Sequence, residues 1–205
     1  MNELKIIKHL KPIYDKSLIY TRLGFHKLKT AIPPEEQREV ERLIGKAEGF
    51  LDITAAYRFL GIVSRAEEEI GLEDGTLLKG RSIARFLADS EKALIMGATG
   101  GSFIMDEIRR LQEAKRMSDA VVLDAAASEI TDAGLDFVMS QVSLLLRRSG
   151  KSLTRYRYSP GYGDFHLNQQ KDIYRILEAH RLGIEINQAC LLLPEKSVFA
   201  VAGMA

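Results

Sequence analysis

The chain has 205 residues, 46% of them hydrophobic, and a formal net charge of +1 at pH 7. This length is typical of one domain, or of one domain with a helical appendage, and the apolar fraction suffices for a core. The balanced charge provides no basic field for nucleic acid or an anionic membrane surface. The single cysteine, Cys190, excludes an internal disulfide and a multi-cysteine metal site. No signal-peptide pattern and no apolar run of the ~20 residues that span a bilayer are present, so we expect a soluble, cytoplasmic protein.

Helix and strand patterns follow one another in the first part of the chain. Pro33 and Pro34, followed by glutamates, predict a helix start, because proline and acidic side chains both suit the first turn. Apolar residues at helical spacing continue that helix over 35–49, and alternation predicts a strand over 52–62. We therefore expect residues 1–90 to form a small leading segment of helix and strand.

The remaining residues, 91–205, are expected to form the core of the protein. An apolar run over 92–96 predicts a buried strand, which leads through the glycine-rich turn 97–102 into a helix over 103–116. A helix that begins after a glycine-rich turn can bind a phosphate, but the spacing fits neither standard nucleotide-binding fingerprint. We interpret this turn as a tight bend or as a backbone wall for another ligand.

A long helix is predicted over 118–148, and its alanine-rich first half contains Asp124 and Glu129. These acids are either solvated charges or groups placed for a ligand. A further helix is predicted over 168–182, with His180 on its buried face. The apolar runs on either side of a Pro-Glu-Lys turn, within 190–204, predict a strand hairpin inside the sheet. Together these patterns predict an α+β fold, with a mainly antiparallel sheet, flanking helices and a small N-terminal helical segment.

The loop 157–164 combines residue types that suit the binding of a small polar ligand. Arg157 offers a planar set of donors that matches a carboxylate or a phosphate. Tyr158 and Tyr162 offer flat faces, and the neighbouring glycines permit backbone angles closed to other residues. The alternative interpretation is a Pro-Gly turn whose arginine is paired with a surface acid.

Three segments resemble the reactivation domain of cobalamin-dependent methionine synthase. They are Arg157-Tyr-Ser-Pro-Gly-Tyr162, which matches an R-x-x-x-G-Y loop, then a helix, and then Pro194-Glu-Lys-Ser197-Val198, which matches P-x-x-S-V. The segment 121–138 is similar to the helix that precedes the loop in that family. The order and spacing hold over 157–205, whereas the first part of the chain matches less clearly.

The resemblance implies binding of S-adenosylmethionine. In that family, oxidation of cob(I)alamin leaves the enzyme as cob(II)alamin, and recovery needs one electron and a methyl group from S-adenosylmethionine. Carried over by motif position, Arg157 binds the ligand carboxylate, Tyr162 lines the site, and Ser159 and Gly161 contribute main chain. Glu129 and Asp124 are the candidate acids for the cationic end of the ligand.

The resemblance also implies partner proteins. One cysteine cannot build the thiolate-rich zinc centre for homocysteine, and a cobalamin module is lacking. Cobalamin therefore enters only through a partner, and the corrinoid-binding and homocysteine-binding modules of a split methionine synthase lie on other chains. A flavodoxin-like protein or a ferredoxin is the candidate electron donor. Whether the chain itself counts as an enzyme, a methyltransferase component, is left open.

Two alternatives accompany this interpretation. The first is a non-catalytic interaction module that docks on a corrinoid protein, with the loop shaping the docking surface. The second is a free-standing methyltransferase, for which His166, beside the loop, is the histidine best placed to act as a general base.

Overall fold

A computed structural model describes residues 3–25 and 32–205 and contains one large antiparallel sheet with helices on both faces. The predicted α+β fold with flanking helices is confirmed. The strands are β1 Lys5–Leu10, β2 Ile53–Arg65, β3 Glu69–Leu72, β4 Leu77–Lys79, β5 Lys92–Thr99, β6 Glu185–Ile186, β7 Leu192–Leu193 and β8 Ser197–Met204. The helices are α1 Lys16–Arg22, α2 Pro34–Phe50, α3 Arg81–Phe86, α4 Phe103–Glu113, α5 Met117–Arg147 and α6 Gln170–Ile176, with 3-10 turns at Leu167–Gln169 and Ala179–Leu182.

The main sheet has the strand order β4-β3-β2-β5-β8, and β1 pairs with β2 as well. Strand β2 is central, because it pairs with β5 from Thr54 to Gly61 and also with both β1 and β3. Strand β8 is bordered in turn by the segment 152–158, in which Tyr158 exchanges two hydrogen bonds of 2.8 Å with Val201. The loop that follows is therefore fixed to the sheet. The predicted division at residue 90 stays a prediction, although β2 and β5, from its two sides, share this sheet.

Both faces of the sheet are buried against helices. Successive side chains of a strand point to opposite faces, so Leu94 and Met96 of β5 pack in the core that contains α2, α4 and α5. Ala93 and Ile95 pack in a second core with α3 and α6. Because both faces of β5 are buried, its sequence is a continuous apolar run rather than an alternation of apolar and polar residues. No helix within the described part of the chain combines the length and the apolar character needed to cross a membrane.

The predicted C-terminal hairpin is wrong. Strand β7 pairs with the short β6, whereas β8 pairs along its full length with β5. Two apolar runs joined by a turn identify two strands, but their periodicity does not identify their partners. The residues between them carry the chain from a small two-stranded sheet into the main one.

The predicted helix over 168–182 is also interrupted. Helix α6 ends at Ile176, and Glu178 adopts a left-handed conformation with φ of 47° before the second 3-10 turn. This break changes which residues face the core: Ala179 is buried, and His180 is exposed rather than buried as predicted. Gly183, with φ of 72°, ends the segment in the left-handed conformation expected of a terminating glycine.

Glu107 of α4 gives the fold a testable dependence on pH. Its side chain is 7% exposed and accepts hydrogen bonds from Arg110 (2.7 Å) and from Lys46 of α2 (2.6 Å). These bonds lower the pKa of Glu107 from 4.5 to about 2, the bond from Arg110 contributing most. Because the folded-state pKa lies below the unfolded value, the stabilisation is present above pH 4.5 and is lost as pH falls towards 2.

We expect Glu107→Gln to lower the free energy of unfolding at pH 7 by about 1–3 kcal/mol, a range kept modest because its partners Lys46 and Arg110 are partly exposed to water. The variant should also lose less stability than the wild type between pH 4.5 and 2. Urea unfolding at several pH values measures both effects. Glu113→Gln, on the exposed surface of the same helix, is the matched control. Equal pH slopes for wild type and Glu107→Gln would contradict the prediction.

Candidate functional site

The loop after residue 157 is a tight turn that its proline and glycine dictate. Pro160 and Gly161 occupy the two central positions, and the N–H of Tyr162 donates to the carbonyl of Ser159 at 3.3 Å. Gly161 has φ of +98°, which is the conformation that the second central position of a type II turn requires. The N–H of Gly161 donates to the carbonyl of Phe165 at 2.7 Å. The N–H of Gly161 is therefore already bonded within the loop.

Side chains on both sides hold this turn in place. The ring of Tyr158 packs between Phe86 and Phe165, at centroid distances of 5.8 Å and 6.1 Å. Phe165 is fully buried. The carboxylate of Asp164 accepts the N–H of Arg81 at 2.7 Å and so caps the start of α3. The turn is thus a rigid feature of the sheet edge.

The guanidinium of Arg157 lies against two carboxylates from successive turns of α5. Its Nη2 is 2.5 Å from Oδ2 of Asp132, and its Nη1 contacts Asp136. Arg157 is 19% exposed, whereas the side chains of Asp132 and Asp136 are 43% and 61% exposed. Burial raises the pKa of Asp132, with Arg157 opposing this effect and Asp136 adding to it. With both acids ionised, the cluster Arg157, Asp132 and Asp136 carries a net charge of −1.

Two cavities share Asp132 of this cluster in their linings. The larger, of about 960 Å³, lies between the second half of α5 and the segment 153–159. The smaller, of about 540 Å³, lies between the turn and residues 191–199. Asp132, Ser159 and Tyr162 line both cavities. Volumes of this size are typical of small-molecule sites.

The smaller cavity has a mixed lining of apolar and polar residues. Its floor includes Phe199, which is 2% exposed and lies opposite Gly97 in the register of β8 and β5. Its polar lining consists of Asp132, Ser159, Tyr162, Gln170, Asn187, Glu195 and Ser197. A cavity with such a mixed lining suits a flat organic ring whose edges carry donors and acceptors.

Four of the six residues selected from the sequence lie together. Arg157 lines the larger cavity, Ser159 and Tyr162 line both, and Gly161 lies in the turn between Ser159 and Tyr162. Tyr162 is 69% exposed at the rim. The geometry also matches the alternative interpretation, a turn whose arginine pairs with acids, since Arg157 does make such pairs.

The two predicted acids lie elsewhere on α5. Asp124 accepts a hydrogen bond from Lys196 at 2.6 Å, and Glu129 pairs with Arg22 at 2.6 Å. Neither residue lines the two cavities. Their role in binding stays a prediction, while the acid at the junction of the cavities is Asp132.

Asp132 and Asp136 were missed by the sequence analysis, although the sequence contains a signal for them. Asp124, Ser128, Asp132 and Asp136 recur every four residues, and residues four apart share a helix face. The hydroxyl of Ser128 also bonds to Lys196, at 2.9 Å. The first half of this polar row therefore contacts Lys196, and the second half contacts Arg157.

His166 does not support an independent methyltransferase. It is exposed and lines a separate depression with Lys79, Arg81 and Asp164, not the cavities beside Arg157. A general base must come within hydrogen-bond reach of the atom it deprotonates. His166 therefore lacks the placement that this role requires.

Of the three comparisons with known proteins, the one with solved structures bears on the fold. No protein-family model matches the sequence, and no curated protein matches it significantly. Among solved structures, the MetH reactivation domain bound to AdoHcy (S-adenosylhomocysteine) matches with a TM-score of 0.73 and 12% sequence identity. The match covers 98% of this chain and 78% of that one. The predicted resemblance to a methionine synthase reactivation domain is therefore confirmed for the fold.

Proposed function

We propose that this chain binds S-adenosylmethionine and presents its methyl group for the reductive reactivation of a corrinoid methionine synthase. The cobalamin and homocysteine modules of that synthase would lie on other chains. The observation that carries the proposal is that Asp132 and Tyr162 line both of two adjoining cavities, while Arg157 lines the larger one and pairs with Asp132. A domain of the same fold with AdoHcy bound supports it further.

The charges of the junction complement the amino-acid end of S-adenosylmethionine. The ligand has a carboxylate, an ammonium and a sulfonium, and its net charge is +1. Arg157 offers donors to the carboxylate, while Asp132 and Asp136 favour the two cationic groups. The pairing of Arg157 with both acids leaves an excess negative charge, so a ligand of net positive charge is attracted rather than repelled.

The smaller cavity suits the adenosine end of the ligand. Its apolar residues fit the faces of the purine ring, and its polar residues can bond to the edge of the ring. The ring of Tyr162, at the rim of both cavities, can cover the junction between nucleoside and amino acid. The role of each of these residues rests on the proposal.

The contribution of this chain would be positioning. When bound, S-adenosylmethionine supplies an electrophilic methyl group, and the acceptor belongs to the corrinoid partner. Residues such as Asp132 and Arg157 would fix the direction in which the sulfonium faces, and correct alignment of two reactants lowers a barrier by several kcal/mol. The exposure of Asp136 (61%) and Tyr162 (69%) leaves the site open to a docking protein.

A second candidate function is a non-catalytic interaction module that docks on a corrinoid protein. One observation favours it: the guanidinium of Arg157 already has two carboxylate partners. In that case the turn shapes a docking surface and its arginine holds the turn to α5.

Titration calorimetry with S-adenosylmethionine and with AdoHcy tests the proposal. We expect both to bind, with S-adenosylmethionine favoured about two- to tenfold at low salt, because its sulfonium adds a positive charge near a partly exposed cluster. The preference should shrink as salt is added. Saturation at 100 times Kd should stabilise the fold by about 2.7 kcal/mol. Absence of heat and of thermal stabilisation at millimolar ligand would overturn the proposal, and a stable complex with a corrinoid protein would then favour the interaction module.

A further inference from the structure

Gln170 carries a buried acceptor that the protein itself does not use. Its Oε1 is buried and has no hydrogen-bond partner within the described part of the chain. The neighbouring Gln169 differs, because its Oε1 accepts the N–H of Lys79 at 2.8 Å and its Nε2 donates to Asp172 at 3.2 Å. A buried acceptor without a partner destabilises the fold, so its presence calls for an explanation. Gln170 lines the smaller cavity, where a bound molecule could supply the missing donor.

Asn187 lines the same cavity and supplies the opposite group. Its Oδ1 accepts the N–H of Leu191 at 2.9 Å, and the main chains of the two residues are joined by a second bond of 3.0 Å. These bonds fix the orientation of the Asn187 carboxamide, so its Nδ2 remains as a donor. The lining of the cavity thus includes the carboxamides of both Gln170 and Asn187, beside apolar residues such as Pro160 and Leu193.

We infer that Gln170 and Asn187 read the edge of the purine, and that Gln170 makes the site specific for a 6-amino purine. The inference rests on the proposed binding of an adenosyl ligand and names the residues that select its base. Adenine carries an amine donor next to a ring-nitrogen acceptor, and this pair matches Oε1 of Gln170 and Nδ2 of Asn187. In the major groove of DNA, a single glutamine or asparagine amide bonds to the same two kinds of group on adenine, its amine and a ring nitrogen.

A 6-oxo purine presents a carbonyl where adenine presents its amine. The buried Oε1 of Gln170 would then face another acceptor and stay unpaired. A site built to hydrogen-bond one group rejects an analogue that lacks it, because the polar group of the site remains unsatisfied. From the discrimination typical of amide–base contacts, we expect a preference for adenine of about tenfold or more.

The test compares AdoHcy with S-inosylhomocysteine, its 6-oxo counterpart, by titration calorimetry on the full chain. Wild type should favour AdoHcy about tenfold or more. Gln170→Leu should reduce this preference to near unity, mainly by weakening AdoHcy binding, while the thermal midpoint is kept or raised. Asn168→Leu, which changes an exposed amide outside the cavity, is the matched control and should keep the wild-type preference.

Each outcome supports or overturns a distinct statement. Equal affinity of wild type for the two ligands overturns the inference about Gln170 and leaves the proposed function intact. A preference that survives in Gln170→Leu also overturns it. Absence of binding by either ligand overturns the proposed function together with the inference. If Gln170→Leu does not fold, Gln170→Met keeps the length of the side chain and gives the same comparison.

Discussion

Replacing Arg157 with alanine is expected to weaken the binding of S-adenosylmethionine by about 10- to 100-fold. This range corresponds to about 1.5–3 kcal/mol, which is typical for a hydrogen bond between charged groups. Under the proposed function the guanidinium holds the ligand carboxylate, and its low exposure of 19% limits replacement by water. Titration calorimetry measures the loss. Arg148→Ala, an exposed arginine just beyond α5, is the matched control and should bind like wild type.

The same substitution should also change how stability depends on pH. Without Arg157, the carboxylates of Asp132 and Asp136 lie one helical turn apart with no cation between them, and repel each other. The pKa of Asp132, already raised by burial, should rise further. The pKa of Asp132 is then higher in the folded state than in the unfolded state. Asp132 therefore destabilises the fold progressively as pH rises from its unfolded-state pKa through its folded-state pKa. We expect a loss of about 1–2 kcal/mol at pH 7 that diminishes at lower pH.

The substitution Asp132→Asn distinguishes a role of Asp132 in ligand binding from a purely structural ion pair with Arg157. Removal of an acid whose pKa is raised by burial should leave the fold as stable as wild type, or more stable, at pH 7. The variant should nevertheless bind S-adenosylmethionine more weakly, and AdoHcy less so, because only the former has a sulfonium. A variant that loses stability but keeps the wild-type ratio of the two affinities would favour the interaction module, in which Arg157 and Asp132 merely hold the turn.

The turn was predictable because local chemistry fixes it. Pro160 and Gly161 dictate a type II geometry from sequence alone, and Pro34 marks the start of α2 in the same way. The acids of the site were harder to predict. Glu129 and Asp132 are only three residues apart, yet one pairs with α1 and the other with Arg157. Which partner an acidic side chain of a helix contacts depends on how that helix packs in the fold, and the sequence pattern of the helix does not specify this packing.

The partner of β8 could not be predicted for a related reason. Its apolar run is the same whether it pairs with the nearby β7 or with β5, and β5 precedes it by about a hundred residues. The glycine-rich turn after β5 was interpreted as a bend or a backbone wall. This prediction is wrong for 97–99, because β5 extends to Thr99. Gly97, the first of these glycines, therefore lies within the strand, opposite Phe199, where its lack of a side chain has a consequence that can be tested.

Gly97→Ala is expected to destabilise the fold by about 1–3 kcal/mol, the usual cost of adding a group to a packed core. A Cβ at this position would lie 2.6 Å and 2.8 Å from two ring atoms of Phe199 and 3.0 Å from Leu177. The ring of Phe199 must therefore shift, and it forms part of the floor of the smaller cavity. A shifted ring would occupy space proposed for the purine, so ligand affinity should fall by about tenfold or more, a loss of at least 1.4 kcal/mol. Urea unfolding and titration calorimetry measure the two effects.

A second substitution distinguishes the clash with Phe199 from a general weakening of the strand. Phe199→Leu removes the ring atoms that the new methyl group would contact. The double variant Gly97→Ala, Phe199→Leu should therefore lose about 0.5–3 kcal/mol less stability than the two single variants lose together. Gly45→Ala in α2, where an added Cβ meets no atom within 4 Å, should stabilise the protein slightly and leave binding unchanged. If Gly97→Ala instead keeps wild-type affinity while losing stability, the floor of the cavity does not depend on Gly97. The purine would then have to lie against another wall of the cavity, away from Phe199.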